Sequence, residues 1–167
     1  MSLEEDPQIA DFLRQEQRII LTAENSVMQI QTLNLLPIKV GEEMVVGYYR
    51  RIHAKPLTRR EAQFLVRRDL ADLMMFLRPR IAPLVPIIGE VRASALLHIG
   101  LILNGGTGKR LDSMKQLWPV LQAADYETAH EIVMLSQWPQ FVGVDLANRK
   151  RVLAVARMLR TGEPPTV

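Results

Sequence analysis

The apolar residues of this chain fall into stretches of different period. Residues 8–22 carry Ile9, Phe12, Leu13, Ile19 and Ile20 at loosely helical intervals, which predicts an N-terminal helix ending near Thr22. From Val27 to Leu36, Val27, Met28, Ile30, Leu33 and Leu35 take polar neighbours in near alternation. That pattern predicts strands and turns, closed by Pro37. The stretch from Ile38 to Pro56 fits either a short helix or a looped strand.

Beyond Pro56 the period becomes helical. Thr58-Arg59-Arg60-Glu61 has the form of a capping box, in which the threonine oxygen accepts from a free first-turn amide and the glutamate reaches back. Ala62, Leu65, Val66, Leu70, Leu73, Met74 and Leu77 then share one stripe, with a stop expected at Arg78-Pro79. Pro83 and Pro86 punctuate a connector, and residues 89–103 form an almost continuously apolar helix, the expected centre of the core. Asn104-Gly105-Gly106-Thr107-Gly108 reads as a helix stop, because glycine tolerates the left-handed backbone needed there.

Further helices are expected from Leu111 to Gln122, kinked at Pro119, and from Tyr126 to Ser136. A turn follows at Trp138-Pro139, then an amphipathic helix from Asn148 to Leu159, capped by Thr161-Gly162. The predicted fold class is mostly α (α+β). An N-terminal arm covers 1–10, the N-terminal helix and a small mixed lobe with short strands cover 11–57, a helical lobe covers 58–163, and a tail covers 164–167, all within one domain.

Composition narrows the chemistry. The 167 residues are 48% hydrophobic and 23% charged, as in an ordinary globular domain. The absence of cysteine excludes disulfides, thiolate metal sites and a cysteine nucleophile. The N-terminus, MSLEEDPQIADF, is acidic and lacks the basic and apolar regions of a signal peptide. The longest apolar run, Ala93 to Leu103, is too short to span a bilayer.

A net charge of +3 is mild. The Arg-Arg pairs at 50–51, 59–60 and 67–68 read as solvated helix faces, and without an aromatic platform no nucleic-acid partner is expected. His53, His98 and His130 lack metal-ligand spacing, so no metal or cofactor is expected, and His98 reads as a satisfied core residue. The 104–109 segment lacks the preceding strand and the ending of a phosphate loop. Trp118 and Trp138 read as core, and Met74, Met75, Met114, Met134 and Met158 as fillers of irregular gaps.

Several segments, in order, resemble the phage-type lysozymes of glycoside hydrolase family 24. LTRREAQFLVRRDLADLMMFLRP is similar to the family's threonine-capped helix, and ASALLHIGLILNGGTG to its central buried helix ending in Asn and Gly. WPVLQAADYETAHEIVMLSQW resembles a segment with Asp-Tyr, Ala and a closing Trp, and ANRKRVLAVARMLRTGE the Arg-rich helix ending in Thr-Gly. The resemblance covers roughly residues 13–163. It implies a lysozyme-like fold and a peptidoglycan ligand, with cytoplasmic synthesis followed by release to the cell wall or assembly into a phage particle.

The family signature is a Glu, eight residues, an Asp or Cys, five residues, and a Thr. Anchored on Leu21-Thr22-Ala23, it falls on Gln17, Ser26 and Thr32. An amide cannot serve as general acid, and a hydroxyl offers no charge to an oxocarbenium-like centre. The resemblance therefore implies a scaffold that binds peptidoglycan without cutting it, or an adapter for a protein partner. Asn34 and Asn104 are the further candidate glycan contacts. Glu16 and Glu24 are the carboxylates that would rescue hydrolysis, as a muramidase, if either reached the cleft.

Overall fold

The computed structural model describes residues 7–31, 33–40, 43–47, 50–51, 57–103, 108–143 and 146–165. Its first element, α1 (Pro7–Ile30), starts within the expected arm and runs unbroken far past Thr22. Ile19, Ala23 and Val27 recur every four residues and are fully buried. The helical period thus continues through the segment whose alternation predicted strands. That expectation fails because the polar residues between these positions also fall on the remaining faces of a helix.

Strands begin only at β1 (Asn34–Val40), followed by β2 (Glu43–Gly47) and β3 (Arg50–Arg51) in one antiparallel sheet of that order. Ile38 pairs with Val45, and Val40 with Glu43, while the register is irregular between Asn34 and Ile38. Pro37 sits in that irregular part of an edge strand, where its missing N–H disturbs no ladder. Of the two readings for 38–56, strand holds as far as Arg51, so Arg50 and Arg51 lie on a strand and not a helix; 52–56 lie outside the described residues. Gly47, at φ +67°, brings β2 against the next helix: a Cβ there would come within 3.2 Å of the Ala62 Cβ.

α2 (Arg59–Ile81) starts at the expected capping box. The Thr58 Oγ accepts from Glu61 N at 3.2 Å, and the Glu61 carboxylate accepts from Thr58 N at 2.7 Å. Those bonds from Thr58 hold the Glu61 carboxyl below its ordinary range. The expected stop at Arg78-Pro79 does not occur, for the helix continues to Ile81. Pro79 falls in the last turn, where it forfeits one ladder bond, and the bond from Ala82 N to Arg78 O closes the helix at 2.9 Å. Burial of Leu77 and Ile81 offsets that loss.

α3 (Val85–Ile102) carries Pro86 in its first turn and breaks at Gly89, φ +77°, before running straight through the centre. Ala93 and Ala95 to Leu97, with Ile99, are fully buried, and α3 packs on α1, α2 and a C-terminal helix, α8 (Leu146–Thr161). With its first turn included, α3 is long and apolar enough by composition to cross a membrane, yet 67% of it is buried inside this bundle. The helix stops at Ile102 as expected; 104–107 lie outside the described residues.

The expected helix from Leu111 to Gln122 is instead two short ones, α4 (Lys109–Asp112) and α5 (Leu117–Gln122). Their separation is held by the Trp118 indole N–H donating to Asp112 O at 3.2 Å and by the Ser113 hydroxyl donating to Arg110 O. Pro119 sits in the first turn of α5, where proline is tolerated. α6 (Tyr126–Leu135) follows its Asp125 cap. The expected turn at Trp138-Pro139 is a short helix, α7 (Trp138–Val142). α8 ends at Gly162, φ +73°. Trp118 and Trp138 are core residues, but Met75 is 64% exposed and fills no gap.

Candidate functional site

Four of the candidate residues lie on α1, and its geometry separates them. Gln17 and Ser26 differ by about 13.5 Å along the axis and about 180° around it. Gln17 is exposed, whereas Ser26 is buried. A glycosidase holds its two carboxyl groups about 5–9.5 Å apart across one cleft. These two positions face away from each other. Asn34 opens β1, its backbone paired with Gly47. Thr32 and Asn104 lie outside the described residues.

Glu16 and Glu24 both point into the seam with α2, and each meets an arginine fork. Arg78 donates to the Glu16 oxygens at 2.7 and 2.6 Å, and Arg67 to those of Glu24 at 2.8 and 3.1 Å. The hydrogen bond from Glu24 raises the pKa of Arg67 above its ordinary value. The Glu24 side chain is 3% exposed and Arg67 63%. Each pair is therefore a carboxylate at the rim of the core, closed from outside by a half-hydrated guanidinium. The two glutamates lie about 12 Å apart along the axis. With both oxygens of each occupied, neither presents an acid to a common cleft.

Against α3 the buried polar groups around α1 are neutral, while Arg18 pairs with Glu90 at 2.9 Å nearer the surface. His98 is fully buried, and its Nδ1 lies 2.9 Å from the Ser26 Oγ while its Nε2 lies 3.0 Å from the Gln31 Nε2. Burial pushes the His98 pKa down to about 3, so the ring is neutral at physiological pH. One chain of donors satisfies both ring nitrogens and the Ser26 hydroxyl. The Gln31 amide donates to Nε2, Nδ1–H donates to Ser26, and Ser26 donates to the Met158 sulfur on α8 at 3.4 Å. Nearby, the Ser94 hydroxyl bonds to Ile19 O at 3.0 Å and to Glu90 O at 2.8 Å.

Ser26 is thus a structural partner of His98, closed off from any ligand. Reading His98 as a satisfied core residue agrees with its environment. What sequence reasoning missed is its partners, Ser26 and Gln31, for no local pattern links residues some seventy positions apart. Among the described residues, no group of three His, Asp or Glu could hold a metal ion. No protein-family model matches the chain, and no curated protein does either.

Proposed function

We propose that the chain is a lysozyme-like scaffold of phage or prophage type that binds a partner and does not hydrolyse glycan. The order of elements supports the scaffold: a helix, a small antiparallel sheet, a long helix from the sheet into the bundle, a buried central helix and a closing helix ending in Thr161-Gly162. The observation that carries the loss of hydrolysis is the unbroken α1, which turns the signature-spaced Gln17 and Ser26 to opposite sides.

The same geometry favours a protein partner over a glycan strand. Among the candidates whose side chains are described, only Gln17 offers an exposed polar side chain, and sugar recognition needs several convergent hydrogen-bonding groups.

The test is an assay of reducing ends released from purified peptidoglycan, run beside sedimentation with the insoluble polymer. The wild type is expected to release none. Gln17→Glu combined with Ser26→Asp is expected to stay inactive, because about 13.5 Å of helix separates the restored carboxylates. Release by the wild type that disappears in Glu16→Gln or Glu24→Gln would overturn the proposal. Co-sedimentation without release would identify the partner as glycan instead of protein.

A further inference from the structure

Among the described residues nothing covers the outer face of α2, and its residues are arranged to complement themselves. Phe64 and Met75 are each 64% exposed, more than the third exposed large apolar side chain of this helix, Phe76, at 44%. They stand about 16.5 Å apart along the axis but only about 20° apart around it. Ala71, exposed, lies on the same line between them, and Arg68 and Asp72 flank it. Neither Arg68 nor Asp72 forms an ion pair with another described residue.

The Glu16–Arg78 and Glu24–Arg67 pairs fix α1 antiparallel to α2 and bring Leu21, itself 51% exposed, level with Ala71. A shallow hollow of about 490 Å³ opens beside Phe64, lined by Leu57, Thr58, Arg60, Glu61, Phe64 and Leu65.

We propose that this face is the seam of a two-fold dimer in which α2 packs antiparallel on α2 of a second copy. An isologous contact requires that if one residue meets another, the reverse also holds. Setting Phe64 opposite Met75 of the second copy satisfies this at both ends. It gives two sulfur–aromatic contacts and seats each Met75 at the other copy's hollow. The same register brings each Arg68 opposite Asp72 of the second copy, so two unpaired charges of opposite sign meet twice. Ala71 at the centre lets the axes approach closely, and Leu21 extends the apolar strip beside it.

A wholly acidic partner would match Arg68 but leave Asp72 facing a like charge, and a basic one the reverse. Only a surface carrying both signs in mirrored order answers both, and α2 is such a surface. A single helix pair buries less than the ~1,200 Å² of a standard interface, so the dimer is transient.

The measurement is sedimentation equilibrium of the purified protein from roughly 10 µM to 1 mM, the range in which weak interfaces associate. The wild type is expected to shift from monomer to dimer across that range. Arg68→Asp and Asp72→Arg, each checked for unchanged melting, are each expected to weaken self-association at least tenfold. A one-to-one mixture of the two variants is expected to restore it, because each then supplies the other's missing charge. A wild type that stays monomeric at 1 mM would overturn the proposal, as would single variants that associate like the wild type. Failure of the mixture to recover would overturn it equally.

Discussion

α1 has two edges, and they are held together in opposite ways. Toward α2 it is fastened by charge: Glu16 and Glu24 sit at the rim of the core, each under an arginine that keeps about half its surface in water. Toward α3 its buried polar groups are neutral, with Ser26, His98 and Gln31 closing their bonds on one another, while an ion pair joins Arg18 to Glu90 nearer the surface. The charged edge avoids most of the desolvation cost because the guanidinium stays hydrated. The Ser26–His98–Gln31 network carries no charge to desolvate, but its polar atoms are enclosed in the core and depend on one another for their hydrogen bonds.

The sharpest way to break this contrast is at the neutral edge. His98→Ala removes a fully buried ring and orphans both Ser26 and Gln31. It is expected to cost ~3–5 kcal/mol in chemical denaturation, combining a cavity with unsatisfied polar groups. A loss below ~1 kcal/mol would show that the network holds little.

Lowering pH tests the same edge more gently. His98 has a folded pKa of about 3 against 6.5 unfolded. The unfolded chain therefore takes up the proton first, so the contribution of neutral His98 is complete above pH 6.5 and declines as pH falls toward 3. About 2–3 kcal/mol should be gone by pH 4.5, since each unit is worth ~1.4 kcal/mol. His98→Gln should flatten that slope in a series of melts. Glu61 and Asp125, whose carboxyls are held low by hydrogen bonds from Thr58 and Thr128, begin to lose their contributions only as pH falls into the ordinary carboxylate range, so the His98 slope is read above it.

At the charged edge the expected effects are smaller and unequal. Arg67→Ala strands a carboxylate that is 3% exposed and should cost ~2 kcal/mol, whereas Glu24→Gln leaves an arginine that is already 63% exposed and should cost ~1 kcal/mol or less. Equal losses in the two variants, measured by urea unfolding, would erase the distinction drawn between rim and core.

How far the fold can be read from the residues depends on the range of the forces involved. The start of α2 is legible because both bonds of its capping box join residues three apart. The central helix and α8 are legible because their apolar periods are long. The extent of α1 is not, since Val27, Met28 and Ile30 fit two periods at once, and only packing of Ile19, Ala23 and Val27 in the core decides between them. The break between α4 and α5 depends on an indole reaching Asp112, which no period encodes.

The candidate site divides in the same way. That Gln17 and Ser26 offer no carboxylate is visible in the letters, but Ser26 acquires its role from a histidine on another helix. Glu24 is drawn toward Arg67, which sequence reading placed on a solvated face, and Glu16 toward Arg78, which it placed at a helix stop. Exposed Phe64 and Met75 had a local signal, an apolar pair on the side of α2 away from its stripe.

The bond from Ser26 to Met158 spans 132 positions of chain. On a ribosome adding about 5–20 residues each second, that distance is roughly 7–26 s of synthesis. Throughout that interval the Ser26 hydroxyl lacks the sulfur it donates to, while α2 and α3, made earlier, already supply most of the packing around α1. The contact between α1 and α8 is thus made only after most of the core that lies between them has been synthesised.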